Sequence, residues 1–243
     1  MQEWFEEWFD SPYYHILYKN RSDDEAQQFV ENIVSHFQLG PTTTLLDVAC
    51  GKGRHSIAFS SYGIDVTGID LSKNSIDFAK QAENDKLHFF VHDMRDPFRT
   101  NYFDIVCNLF TSFGYFKTDE DNRLAAASMY ESVKDKGSLL IDFVNRNFAV
   151  QNISVNEEES KTIDNIHFEI RRSYNDKRLI KQINIRDGEK KFRFEECLNS
   201  FSLEEMTALF TSVGFTLQTV FGNYLFEQYD EANSPRMILV FTK

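Results

Sequence analysis

The chain has 243 residues and a mass of 28.5 kDa, with 42% hydrophobic and 26% charged residues, enough for one large domain or two unequal ones around a sizeable core. Lys and Arg number 26 against 38 Asp and Glu, and the formal charge of −12 disfavours broad adhesion to nucleic-acid phosphates. No apolar run approaches the roughly 20 residues that span a bilayer and the acidic start lacks a basic signal-peptide region, so a cytoplasmic protein with no membrane or nucleic-acid partner is expected.

Trp4, Phe5, Trp8 and Phe9 fall on one face of a short helix that Pro12 should terminate, packing on the body of the protein or closing over it as a lid. Ser22 and Glu25 have the spacing of a capping box, and Phe29, Ile33, Val34 and Phe37 form the apolar stripe of the helix that follows, ending near Gly40-Pro41. From Thr44 onward short apolar strands alternate with helical segments. Strands are expected at 45–48, 65–69, 87–91, 103–108 and 138–143, with helices at 55–62, 72–82 and about 119–134. This alternation implies an α/β fold with a parallel sheet covered on both faces.

Between about Asn147 and Ser200 the pattern changes to period-2 strands separated by Asn175-Asp176 and Asp187-Gly188, which reads as a small antiparallel β insert. Residues 161–193 carry ten Lys or Arg against five Asp or Glu, a solvated outer face or a self-associating surface. A final helix opens on the Ser202/Glu205 capping box and stops at Gly214, before closing strands at 215–221 and 237–241. The main domain is therefore 1–146 with 201–243, and 147–200 is the insert, an acceptor cap or a dimer surface.

Ligands of open α/β sheets bind beyond the carboxyl ends of the strands, so the residues at those ends carry the chemistry. The first strand runs through Asp47-Val48 into Ala49-Cys50-Gly51-Lys52-Gly53, where small residues let a ligand approach backbone at a helix N-terminus. The second ends at Asp70-Leu71, and a carboxylate there can accept hydrogen bonds from both hydroxyls of a ribose. The third ends in His92-Asp93-Met94-Arg95. The fourth ends at Asn108-Leu109-Phe110 and opens an aromatic loop through Tyr115 and Phe116. Together these ends describe a nucleoside pocket beside an apolar acceptor pocket. Asp47 is either a ligand contact or a buried carboxylate that holds the turn.

A dinucleotide fold would place a third glycine where this chain has Ser56. The loop from Asp47 to Gly53 instead resembles motif I of the class I S-adenosylmethionine-dependent methyltransferases. The resemblance covers 40–145 and continues through the closing helix and strands, and it implies a doubly wound, mainly parallel seven-stranded Rossmann-like sheet. It also implies that Asp47, Ala49, Cys50, Gly51 and Gly53 surround the methionine part of S-adenosylmethionine, that Asp70 and Leu71 hold its ribose side, and that Asp93 and Met94 meet its adenine. Asn108, Leu109 and Phe110 complete the cofactor wall. The N-terminal Tyr-rich segment, the Asp-Met-Arg run, the Phe113-Gly114-Tyr115 loop and the insert are similar to small-molecule N-methyltransferases, in which Tyr14 would reach over the cofactor. Asn108-Leu109-Phe110-Thr111 lacks the proline pair by which base- and glutamine-modifying relatives grip a planar amide.

Methyl transfer from a sulfonium needs alignment and no metal, and the six histidines form no ligand spacing. Tyr14 and Tyr115 are the expected catalytic residues, since ring faces stabilise a sulfonium. A hydroxyl acceptor would want a base such as His15, whereas a neutral amine needs none. A small-molecule amine is the expected acceptor and a small-molecule hydroxyl the alternative. A nicotinamide-dependent oxidoreductase and a non-catalytic cofactor-binding protein are the rivals from other classes, and a homodimer through the insert is open.

Overall fold

A computed structural model describes residues 4–19 and 23–243. Ser22, and with it the first capping box, lies outside the described residues, as does the side chain of Trp4.

The β-α alternation folds as its periodicity dictates. Strands β1 (Thr44–Val48), β2 (Asp65–Asp70), β3 (Leu87–Val91), β4 (Phe103–Asn108) and β5 (Val133–Val144) pair in parallel, and β10 (Thr216–Phe221) and β11 (Arg236–Thr242) add an antiparallel hairpin. The seven strands stand in the order β10-β11-β5-β4-β1-β2-β3. Because β2 and β3 extend from one side of β1 and β4 and β5 from the other, the order reverses between β1 and β4, and a crevice opens beyond their carboxyl ends.

Both faces of this sheet are covered, so its central strands bury apolar residues in succession, such as Leu45 and Leu46 on β1 and Ile105, Val106 and Cys107 on β4. On one face α6 (Asp119–Ser132) and α8 (Leu203–Ser212) bury Ala125, Ala126, Met129, Met206 and Phe210. On the other, α3 (Asp23–Phe37), α4 (Arg54–Ser60) and α5 (Lys73–Ala79) bury Phe29, Ile33, Phe59 and Ile76. The Ser202/Glu205 capping box is formed in both directions, with Ser202 Oγ accepting from the Glu205 amide and the Glu205 carboxylate accepting from the Ser202 amide.

The insert holds a separate four-stranded antiparallel sheet: β6 (Glu158–Ile163), β7 (Ile166–Asn175), β8 (Arg178–Asp187) and β9 (Lys190–Asn199). Three details differ from the sequence expectation. Arg146–Val155 is helix α7, opened by the Asn145 side chain accepting from the Asn147 amide, where strands were expected. β6 gives no period-2 apolar signal because Ile163 is its only large apolar residue. Pro12 starts a second helix, α2 (Pro12–Leu17), directly after α1 (Trp4–Phe9), because proline at the first helical position forfeits no hydrogen bond.

The N-terminal helices also pack in a place the sequence did not indicate. Trp8 and Leu17 join Ile166, Phe168, Ile170, Ile183 and Ile185 in a third apolar cluster, so α1 and α2 lie on the insert sheet, while Phe5 reaches the main core. The basic character of 161–193 is balanced by acids just outside that window: Arg171 pairs with Glu157, Arg172 with Glu159, Lys177 with Glu205 and Lys181 with Glu196.

Candidate functional site

At the end of β1, Asp47 is 1% exposed, and its Oδ2 accepts a hydrogen bond from Ser56 Oγ on α4 at 2.6 Å. Burial pushes the Asp47 carboxyl up to about 7 despite that bond. The position that distinguishes this loop from a dinucleotide fold, Ser56, thus ties the first helix to the first strand. The loop turns through positive φ at Ala49, Gly51 and Gly53. Its two glycines differ in role. A Cβ at Gly51 would meet nothing within 4 Å, whereas one at Gly53 would lie 2.6 Å from Phe89 Cζ, so Gly51 faces open space and Gly53 is required by packing.

Asp70 ends β2. Its Oδ2 accepts from the Gly51 amide and its Oδ1 from the Ser72 amide, both at 2.8 Å, which fixes the plane of the carboxylate. Burial raises its affinity for a proton, and these two amides oppose that rise. A carboxylate offers about four lone-pair directions, so hydroxyl donors can still be accepted. Asp93, after β3, is gripped by Arg95, whose Nε lies 3.1 Å from both carboxylate oxygens and whose Nη2 lies 2.6 Å from Oδ2. Arg95 also reaches Asp121 at 3.0 Å and covers the Phe116 ring, and it holds the Asp93 carboxyl below its ordinary range against the opposing effect of burial.

Beyond β4, Asn108 is fully buried and donates from Nδ2 to the Val48 carbonyl at 3.0 Å, strapping β4 to β1 at the point where the strand order reverses. Phe110 and Thr111 follow with φ of 61° and 60°, two consecutive side-chain-bearing residues in the left-handed region. The cost is met from β5, where Asp142 Oδ2 accepts from the Phe110 amide at 2.7 Å and the Asp142 carbonyl from the Thr111 amide at 2.9 Å.

These strand ends surround a cavity of about 870 Å³. Asp47, Ala49, Cys50, Gly51, Asp70, Leu71, Asp93, Met94, Leu109 and Phe110 line it, and so do Tyr14 and Tyr115. Gly53 and Asn108 do not; they shape the backbone beneath it. Tyr14, on α2, and Tyr115 both set their rings edge-on to Phe9, with centroids 5.1 Å apart in each pair. The N-terminal segment is fastened to the start of α5, after β2, by Asp10, whose carboxylate accepts from Ser72 Oγ at 2.5 Å and from Asn74 Nδ2 at 2.7 Å.

Sequence reasoning missed Asp10, the Asp142 brace and Glu196, a strand residue of the insert that also lines the cavity. None sits in a motif; Glu196 shows only as an acid in an otherwise alternating strand. His15, considered only as a base for a hydroxyl, lines the cavity with its Nε2 buried and unpaired, and burial, with the Lys52 charge nearby, lowers it to about 4.

The donors and surfaces fit an adenosyl sulfonium: hydroxyl acceptors at Asp70, apolar surface at Leu71 and Met94, a side-chain-free approach at Gly51, and rings at Tyr14 and Tyr115. Among the described residues there is no group of three or more His, Cys, Asp or Glu placed to hold a metal ion, and no helix long and apolar enough to cross a membrane.

Comparison with known proteins bears on the domain and the fold. Residues 45–137 match the model of a methyltransferase domain. The dTDP-3-amino-3,4,6-trideoxy-alpha-D-glucopyranose N,N-dimethyltransferase of Streptomyces venezuelae is 27% identical over 220 residues, covering 86% of this chain and 91% of that protein. A relative from Geobacillus sp. (strain WCH70) is 29% identical, with the match spanning only 56% of its length. Among solved structures, an S-adenosylmethionine-dependent methyltransferase from Clostridium acetobutylicum ATCC 824 superposes with a TM-score of 0.78 at 16% identity, over 95% of both chains. The SAM-bound amino pentose methyltransferase CalS10 from Micromonospora echinaspora gives 0.68 at 22% identity, over 96% of this chain and 97% of that one.

Proposed function

We propose that the chain is an S-adenosylmethionine-dependent methyltransferase that methylates an amine nitrogen of a small molecule, holding the cofactor in the 870 Å³ cavity. The main domain, 1–146 with 201–243, is assigned to the cofactor and the insert, 147–200, to the acceptor. Asp70 takes the ribose hydroxyls on the lone pairs that Gly51 and Ser72 leave open. Leu71 and Met94 flank the adenine, and Asp93 faces its amino group with the edge that Arg95 does not occupy. Ala49, Cys50 and Gly51 lie along the methionine part, opposite Leu109 and Phe110, and Asp47 serves the loop by holding Ser56.

When bound, the cofactor would supply an activated methyl group to the acceptor nitrogen, leaving as S-adenosylhomocysteine with the carbon–sulfur electron pair, and the surplus proton on nitrogen would pass to solvent. The protein has to align the partners and keep water out. Tyr14 and Tyr115, joined through Phe9, place π surface where the sulfonium would lie and close the acceptor side.

The observation that carries the choice of nitrogen is the state of His15. A histidine lowered to about 4 is a poor base near neutral pH, and a hydroxyl nucleophile needs a base whereas a neutral amine does not. The N,N-dimethyltransferase activity named for the Streptomyces relative supports the same choice. Methylation of a hydroxyl is the second reading, favoured by the same His15 Nε2, which is buried at the cavity with no partner. Product mass spectrometry after incubation with S-adenosylmethionine and matched amine and alcohol acceptors tests the choice. Methyl groups on oxygen alone would reverse it.

A further inference from the structure

A second cavity of about 530 Å³ lies between α7 and the insert sheet. It shares two wall residues with the cofactor cavity, Tyr115 and Glu196. We infer that this second cavity seats the acceptor as a free polar amine carrying no phosphate, and that Glu196, on the shared wall, receives its amino group. The inference rests on the methylation of nitrogen argued above and specifies the substrate class.

Position comes first. A nucleophile approaching the cofactor cavity from the second one passes Tyr115, whose ring is packed against Phe9 and through it against Tyr14. The volume lies in the range of pockets that hold small ligands. Leu179 and Leu198 offer apolar surface, while Asn152 and Asn156 offer amides to hydroxyl groups.

Charge selects the class. Glu158, Glu159 and Glu196 line the cavity against two cations, Arg172 and Lys181, and both cations are committed: Arg172 hydrogen-bonds to Glu159, and Lys181 stands 3.7 Å from Glu196. A diphosphate needs cations that are not already neutralised, or convergent backbone amides. A nucleotide-linked acceptor would set its phosphates against a wall of net negative charge, whereas an amine that becomes an ammonium on methylation finds complementary charge.

Glu196 is built to hold one orientation. Its Oε1 accepts from Trp8 Nε1 and from Tyr18 Oη, both at 2.8 Å, and its side chain is 16% exposed. Its Oε2 has Lys181 at 3.7 Å, beyond hydrogen-bond distance, and so can accept an N–H from the acceptor. The positive charge that develops on nitrogen during transfer is stabilised by a carboxylate already fixed in place.

The test uses the full chain, S-adenosylmethionine, a panel of free amines (amino sugars, amino acids and short diamines) and uridine-diphosphate-linked glucosamine. Product is read by mass spectrometry, and S-adenosylhomocysteine affinity by calorimetry. Ala149→Trp fills the second cavity from α7; Glu196→Gln keeps the shape and removes the charge. The expected result is methylation of at least one free amine with a kcat/KM tenfold or more above that of the nucleotide-linked sugar. That amine should raise the melting temperature of the S-adenosylhomocysteine complex in the wild type and have no effect in Ala149→Trp, which should bind S-adenosylhomocysteine within twofold of wild type. Glu196→Gln should raise KM for the amine about tenfold. A preference for the nucleotide-linked sugar, no response to any free amine while S-adenosylhomocysteine is bound, or wild-type kinetics in Ala149→Trp would each overturn the assignment. Methylation confined to hydroxyls would instead sink the nitrogen reading on which it rests.

Discussion

Arg236, on the last strand, donates from Nε to Oδ1 of the fully buried Asp142 at 2.7 Å. The same carboxylate accepts from the Phe110 amide and from Tyr224 Oη, and Arg236 Nη2 donates to Thr111 Oγ1 at 2.7 Å. A buried ion pair thus braces the two left-handed residues of the fourth-strand loop from behind, and the wall that Phe110 presents to the 870 Å³ cavity inherits its rigidity.

Removing one member of such a pair leaves a buried charge uncompensated, at a cost of roughly 3–5 kcal/mol. Arg236→Met should lower folding stability by that order, seen as a shift in urea midpoint. An unchanged midpoint would mean that the brace contributes nothing and that Phe110 and Thr111 hold their conformation unaided.

Asp70→Ala should weaken S-adenosylhomocysteine binding roughly ten- to a hundredfold, since hydrogen bonds to a charged group contribute about 1.5–3 kcal/mol. It also frees the Gly51 and Ser72 amides, so Asp70→Asn is the companion variant, keeping an oxygen for one of them. Calorimetry returning wild-type affinity for both would take Asp70 out of the site.

Tyr14→Ala should reduce turnover at least tenfold while changing S-adenosylhomocysteine affinity much less, if its ring, packed edge-on against Trp8 and Phe9, closes over the reacting atoms as proposed. Equal losses in kcat and in affinity would assign the ring to binding or folding alone.

His15 gives a pH dependence of definite sign. Its folded value, about 4, lies below the ordinary 6.5, so its contribution to stability is complete above pH 6.5 and is lost as pH falls toward 4, where the unfolded chain binds a proton that the folded protein refuses. Asp47, raised to about 7 from 3.8, acts oppositely, its contribution being complete below pH 3.8 and lost as pH rises through 7. The difference between wild type and His15→Gln cancels the Asp47 contribution. That difference should decline on acidification through this window, and a flat one, measured by urea titration at stepped pH, would contradict the burial of Nε2.

The strands and helices of the main sheet were legible because each carries a clean period and a turn or cap at its ends, and the resemblance in the Asp47–Gly53 loop agrees with the methyltransferase domain model that residues 45–137 match. The strand-end acids were legible for the same reason, since topology alone places Asp70 and Asp93 beside one crevice. What escaped was tertiary. α7 was hidden by a weak helical period that includes the β-branched Val150, Ile153 and Val155, and β6 by having one large apolar residue. That Asp142 and Arg236 would meet depends on β11 pairing antiparallel to β5, and the meeting of Trp8 with Glu196 depends on the N-terminal helices lying over the insert sheet. Local periodicity records neither arrangement.

Trp8 and Glu196 are 188 residues apart. A ribosome adding about 5–20 residues per second would extend the chain from one to the other in roughly 10–40 s, ample time for β1 to β5 to emerge and pair. Through that interval the aromatic residues of α1 and α2 have no insert sheet to cover them, so Trp8, Phe9 and Tyr14 are exposed to other chains and to chaperones until β9 arrives. The N-terminal helices accordingly cannot settle over the crevice before β9 is made, and substitutions in β7 to β9 should show first as nascent chains that associate through their amino termini.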